Sequence, residues 1–155
     1  MVLKVGATLA VVLIGCTSAG NASDANSATY VGCNGDKRIN LTGIPADITS
    51  EDGALTLHFT AADPAVPLAG ENTWTFAVQS TGGVTADIKS VSAAAFMPDH
   101  GHPSSVAPIA TLLPSGTWLL SNLYLTMAGV WRVTLTLERA DGTKATALVY
   151  ACVAG

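Results

Sequence analysis

Residues 131–152 read WRVTLTLERADGTKATALVYAC. Trp131, Val133, Leu135 and Leu137 alternate with Arg132, Thr134, Thr136 and Glu138. That period of two puts one row of side chains on each face of a β-strand. Asp141-Gly142 follows, a strong hairpin signal, because both central residues of a type I′ turn need a positive φ. A second strand then runs from Lys144 to Cys152. A two-residue loop pairs Ala140 with Thr143. In that register Leu135 faces Leu148, Val133 faces Tyr150 and Trp131 faces Cys152, all inward. A slip of one residue would turn an apolar row outwards, so the pattern specifies an antiparallel sheet with one buried face.

The same alternation extends back along the chain. Leu55, Leu57 and Phe59 alternate with Thr56, His58 and Thr60, and Trp74, Phe76 and Val78 with Thr75 and Gln79. Further strands are expected near 38–42, 86–97, 106–112, 116–126 and 144–152, separated by Gly, Pro, Asn and Asp. No stretch of ten or more residues after the N-terminal segment has helical periodicity. The expectation is an all-β fold, an immunoglobulin-like sandwich of seven or eight antiparallel strands over residues 33–155.

Composition agrees with this reading. The chain has 155 residues, 49% hydrophobic and 12% charged, with a net charge of −4. An average domain has about 25% charged residues. So low a charge excludes a disordered polyelectrolyte, a nucleic-acid binder built on basic patches and a charged coiled coil.

The N-terminus has a different character. In MVLKVGATLAVVLIG (residues 1–15), Lys4 precedes an apolar run too short to cross a hydrocarbon core of about 30 Å. It reads as a secretion signal. Leu13-Ile14-Gly15-Cys16 resembles the bacterial lipobox, which implies cleavage before Cys16 and a lipid on its thiol. The competing reading is ordinary cleavage near Ala19-Gly20. Residues 16–32 then form the lipidated end and a flexible tether. The expected location is the cell envelope, lipid-anchored and facing the periplasm or the exterior. Of three cysteines, a lipidated Cys16 leaves Cys33 and Cys152. An oxidising compartment favours their pairing, against two unpaired buried thiols.

The chemistry concentrates in Phe96-Met97-Pro98-Asp99-His100-Gly101-His102-Pro103, which holds two of the three histidines. Prolines and Gly101 make it a tight loop. Imidazoles two residues apart can converge on one ion, and Met97 and Met127 add thioethers, a donor set that suits Cu(I). Zinc would call on a carboxylate such as Asp99. The alternative is a solvated loop with Met97 in the core and Met127 at a hydrophobic edge. His58 alternates outward and reads as a surface residue. Trp118 and Tyr124, placed on one strand face, suggest a small-molecule site or simple core packing. No nucleophile elbow, His-Glu-x-x-His or phosphate loop is found, so no enzyme activity is expected.

Met97-Pro98-Asp99-His100-Gly101-His102, followed by Met127-Ala128-Gly129-Val130-Trp131, resembles the YtkA-like and FixH-like group of small exported β-sandwich domains. The resemblance covers roughly residues 50–140. It implies an immunoglobulin-like sandwich and a part in copper handling or respiratory oxidase assembly. Met97, His100, His102 and Met127 would hold the copper ion, with Gly129 and Trp131 as structural members. The chain departs in having a lipobox where FixH-like proteins carry a transmembrane helix. A non-catalytic module that docks a cell-envelope protein without metal is the other function considered.

Overall fold

Alternating apolar residues become strands in a computed structural model that describes Cys33 and residues 35–154. The secretion signal (1–15) and the lipidated end and tether (16–32, including Cys16) lie outside the described residues. Nine strands follow in order: β1 (Ala46–Thr49), β2 (Leu55–Asp63), β3 (Gly70–Ser80), β4 (Ile88–Met97), β5 (His102–Pro103), β6 (Ile109–Leu112), β7 (Trp118–Leu125), β8 (Gly129–Arg139) and β9 (Lys144–Val153). They form two antiparallel sheets, β1-β2-β3-β7-β6 and β5-β4-β8-β9. No helix occurs among the described residues. The all-β sandwich is as read from the sequence.

The inward rows of β2, β3 and β8 were correctly assigned. Leu57, Phe59, Trp74, Phe76, Trp131, Val133, Leu135 and Leu137 are all fully buried. Phe59 sits edge-on to Trp74, with ring centres 5.9 Å apart, and 5.2 Å from Phe76. The large side chains of β8 lie between small neighbours. Val133 and Leu135 face Ala95 and Ala93 on β4, and Trp131, Leu135 and Leu137 face Ala151, Ala147 and Ala145 on β9. Pairing large with small residues lets the layer fill space without voids.

The register of the last hairpin differs from the expectation by one residue. Trp131 pairs with Ala151, Val133 with Val149 and Leu135 with Ala147, not with Cys152, Tyr150 and Leu148. The turn is the cause. The Gly142 N–H donates to the Arg139 carbonyl at 2.9 Å, and the Arg139 N–H to the Thr143 carbonyl at 2.8 Å. Gly142 takes φ 83°, and Asp141 accepts from the Thr143 N–H and hydroxyl. This is a three-residue loop with a left-handed glycine, not a two-residue one. The extra loop residue turns Ala145, Ala147, Val149 and Ala151 into the core and Leu148 and Tyr150 to the outer face.

The disulfide moves accordingly. Cys33 and Cys152 are bonded, with Cα atoms 6.0 Å apart and a sequence separation of 119. Cys152 is paired with Val130, and the bond is buried with Cys33, Val130, Ile39 and Tyr150 in a separate cluster from the main core. It does not sit beside Trp131 in the main core.

Three smaller corrections follow from backbone geometry. Residues 38–42 form no strand of their own. Instead Asn40 binds β9 through its side chain, to the Leu148 carbonyl and the Tyr150 N–H, and Leu41 bridges Ala151 in parallel. The strands β1 and β5 were not foreseen, being only four and two residues long. Trp118 and Tyr124 do not share a face. Asn122 has φ 54°, and the β3–β7 register shifts between Asn72 and Trp74. The bulge leaves Trp118 buried and Tyr124 exposed, because one extra residue reverses the side-chain alternation beyond it.

Candidate metal centre

At the end of β4 the chain turns through Pro98–Gly101. Met97 closes the turn, its carbonyl accepting from the N–H groups of Gly101 at 2.9 Å and His100 at 3.3 Å. Gly101 takes φ 71°, and His102-Pro103 returns antiparallel, setting His102 opposite Met97. Directly opposed residues share a face of the sheet. The Met97 side chain is therefore buried while His102 lies above the end of the core, edge-on to Trp131 with ring centres 5.8 Å apart. The His100 ring, at the exposed apex, lies 6.0 Å from that of His102.

The hydrogen bonds at His102 define its chemistry. Nδ1 is 3.1 Å from the Pro103 carbonyl oxygen. A carbonyl can only accept, so in this hydrogen bond Nδ1 is the donor. A backbone carbonyl holding one ring nitrogen in this way is the usual arrangement behind a metal-binding histidine.

The connection between β7 and β8 brings the other methionine to the same end. The Trp131 indole N–H donates to the Met127 carbonyl at 2.8 Å. The same indole touches His102, so Trp131 links the two segments. Gly129 closes the arrangement from below: at φ 129° it leaves room for Met97, whose Cε would lie 2.6 Å from a β-carbon at this position. Gly129→Ala is expected to cost about 1–3 kcal/mol through backbone strain and overpacking. Urea unfolding checks this, and the cost should shrink in a Met97→Ala background, where the collision is gone and the backbone strain stays.

Sequence reasoning missed the third segment of the site. Arg38 forks onto Asp99, Nη1 to Oδ1 and Nη2 to Oδ2, both at 2.8 Å. Its Nε donates to Asp36 at 3.0 Å, and Nη2 also binds Asp36. The hydrogen bonds from Arg38 hold the Asp36 carboxyl at about 2 and the Asp99 carboxyl below the ordinary carboxylate range. Both aspartates in turn push the guanidinium further up. A cleft of about 440 Å³ opens beneath, lined by Cys33, Asp36, Met97, Asp99, His100 and Gly129 among others. Asp36-Lys37-Arg38, three consecutive charges in a charge-poor chain just after Cys33, was the available signal.

The structure brings Met97, buried, His102, half-buried, and His100, exposed, to one end of the sandwich; Met127, also exposed, is tied to that end through its backbone carbonyl. His58 stands apart on the outer face of the other sheet. Its Nδ1 is 2.6 Å from Asp47 and its Nε2 2.9 Å from Gln79, which occupies both ring nitrogens. Among the described residues, no three His, Cys, Asp or Glu side chains gather in a way that could hold a metal ion. Any metal at this end would need thioether donors as well.

No curated protein shows significant similarity to the chain. The sequence model of the YtkA-like family matches residues 51–136, from the β1–β2 turn into β8. That span contains Met97, His100, His102, Met127 and Trp131, and leaves out the disulfide and Arg38. As it covers more than half of the sequence, the chain belongs to the YtkA-like family.

Proposed function

We propose that this end of the sandwich binds one copper(I) ion through His100, His102, Met97 and Met127. The domain would then serve as a non-catalytic copper-handling module of the cell envelope, anchored through a lipid on Cys16. The observation that carries the reading is the imidazole pair: His102, whose Nδ1 lies 3.1 Å from the Pro103 carbonyl oxygen, has its ring centre 6.0 Å from that of His100. Two imidazoles sharing an ion through nitrogens about 2.0–2.1 Å away have ring centres up to about 6 Å apart. The observed 6.0 Å fits that limit. Met97, 2% exposed, is the inner thioether and Met127, 36% exposed, the outer one. Two imidazoles with thioethers form a soft donor set, matched to Cu(I) rather than to zinc. Membership of the YtkA-like family supports an envelope role, and respiratory oxidase assembly is the copper-requiring process we favour.

Anaerobic Cu(I) titration against a chromophoric chelator is expected to show one tight site per chain. His100→Ala combined with His102→Ala should abolish it. Wild-type protein that takes no copper from the chelator would overturn the reading.

A second reading, a metal-free docking module for an envelope protein, has one observation in its favour. The edge strand β6 exposes Ile109 and Leu112, 51% and 53% respectively. Copper binding by the isolated domain separates the two.

A further inference from the structure

The second sheet ends in β9, an edge strand of ten residues. The other three edges, β1, β5 and β6, have four residues or fewer. Ala147–Val153 reads ALVYACV. A run of six or seven uncharged residues with high strand propensity pairs readily with copies of itself when its edge is open. Past Lys144 the strand has none of the usual protections: no further charge, no proline, and no bulge in its register with β8.

The edge is closed instead by the chain that precedes β1. Asn40 Oδ1 accepts the Tyr150 N–H at 2.7 Å, and its Nδ2 donates to the Leu148 carbonyl at 2.8 Å. One side-chain amide thus stands where the peptide group of a neighbouring strand would bind. The Asn40 and Leu41 N–H groups both donate to the Tyr150 carbonyl at 3.1 Å, and the Glu51 N–H donates to the Thr146 carbonyl at 2.7 Å. Beyond them Cys152 is tied to Cys33. We infer that the segment ending in Asn40-Leu41 is a strap masking a self-pairing surface, and that the partner of the uncovered edge is β9 of a second copy. The inference uses none of the residues of the copper reading. A second copy fits because antiparallel pairing about Val149 sets Leu148 opposite Tyr150 twice. That pairing engages the peptide groups now held by Asn40, places an aliphatic beside an aromatic side chain, and brings no charges together.

Asn40 is exposed, so its amide can be removed without opening the core. In the full chain, Asn40→Ala is expected to speed amide hydrogen exchange at Tyr150 on the order of 10- to 100-fold, with central β8 amides little changed. Light scattering should show wild type as a monomer and the variant as a concentration-dependent dimer or larger assembly. Adding Leu148→Lys puts a charge on the opened edge, and should return the variant to monomer while Tyr150 still exchanges fast. Circular dichroism melting checks folding. Asn40→Asp, which keeps the acceptor for the Tyr150 N–H and loses the donor to Leu148, serves if the alanine variant does not fold. Three results would each overturn the inference: wild type that already associates, an Asn40 variant that stays monomeric, or association that persists with Leu148→Lys, as pairing through β6 would.

Discussion

Replacing Cys33 and Cys152 together by alanine is expected to lower the unfolding free energy by about 4–5 kcal/mol in the chain-entropy treatment of a loop this long. The bond closes nearly the whole domain, with a sequence separation of 119. Cutting it releases an unfolded chain with far more conformations. In the folded protein the loss is felt locally, because the bond sits in its own small cluster outside the main core. That cluster anchors the segment carrying Asp36 and Arg38, so the variant should also loosen the fork on Asp99. Guanidinium unfolding with and without reductant measures the effect. Reduced wild type should approach the double variant, and a loss under 1 kcal/mol would mean that the unfolded ensemble already keeps the two ends close.

Trp131→Ala is expected to cost about 3–5 kcal/mol, the range for removing a large aromatic from a packed interior. Trp131 is fully buried on β8 and lies edge-on to His102 at one end of the core. Its neighbours on β9 are alanines and valines, too short to refill the space. Part of the loss is polar, since the Met127 carbonyl loses the indole N–H. Trp131→Phe retains most of the ring and forfeits this hydrogen bond, so its cost should be smaller, about 1–2 kcal/mol plus residual cavity. Denaturant midpoints at unchanged slope distinguish the two variants. Equal losses for Phe and Ala would show that the hydrogen bond dominates and the packing does not.

The parts of the fold legible in the sequence are those encoded by neighbours in the chain. Alternation placed the inward rows of β2, β3 and β8 without error, because a sheet buried on one face demands that period. Proline and glycine marked the turn at 98–101. The cysteine pairing followed from there being three thiols, with Cys16 read as resembling a lipobox cysteine. What alternation does not encode is register, which depends on the turn that joins two strands. Asp141-Gly142 is compatible with loops of two or three residues, and the hydrogen bonds of Asp141 to Thr143 select the longer one. In the same way the left-handed Asn122 reversed the faces of β7 beyond it.

The candidate site divides along the same line. His100, His102, Met97 and Met127 could be named from residue type and spacing, because the chemistry of imidazole and thioether is carried by the residues themselves. The approach of His102 to Met97 and Trp131 could not, nor could the partnership of Arg38 with an aspartate 61 residues away. By itself, the sequence determined most of the strands, the buried faces of β2, β3 and β8, and which imidazole and thioether side chains the chain carries. Only the tertiary structure decided that Arg38 forks onto Asp99, because that depends on how the disulfide-tied segment lies across the turn, and no local pattern records a contact between distant segments.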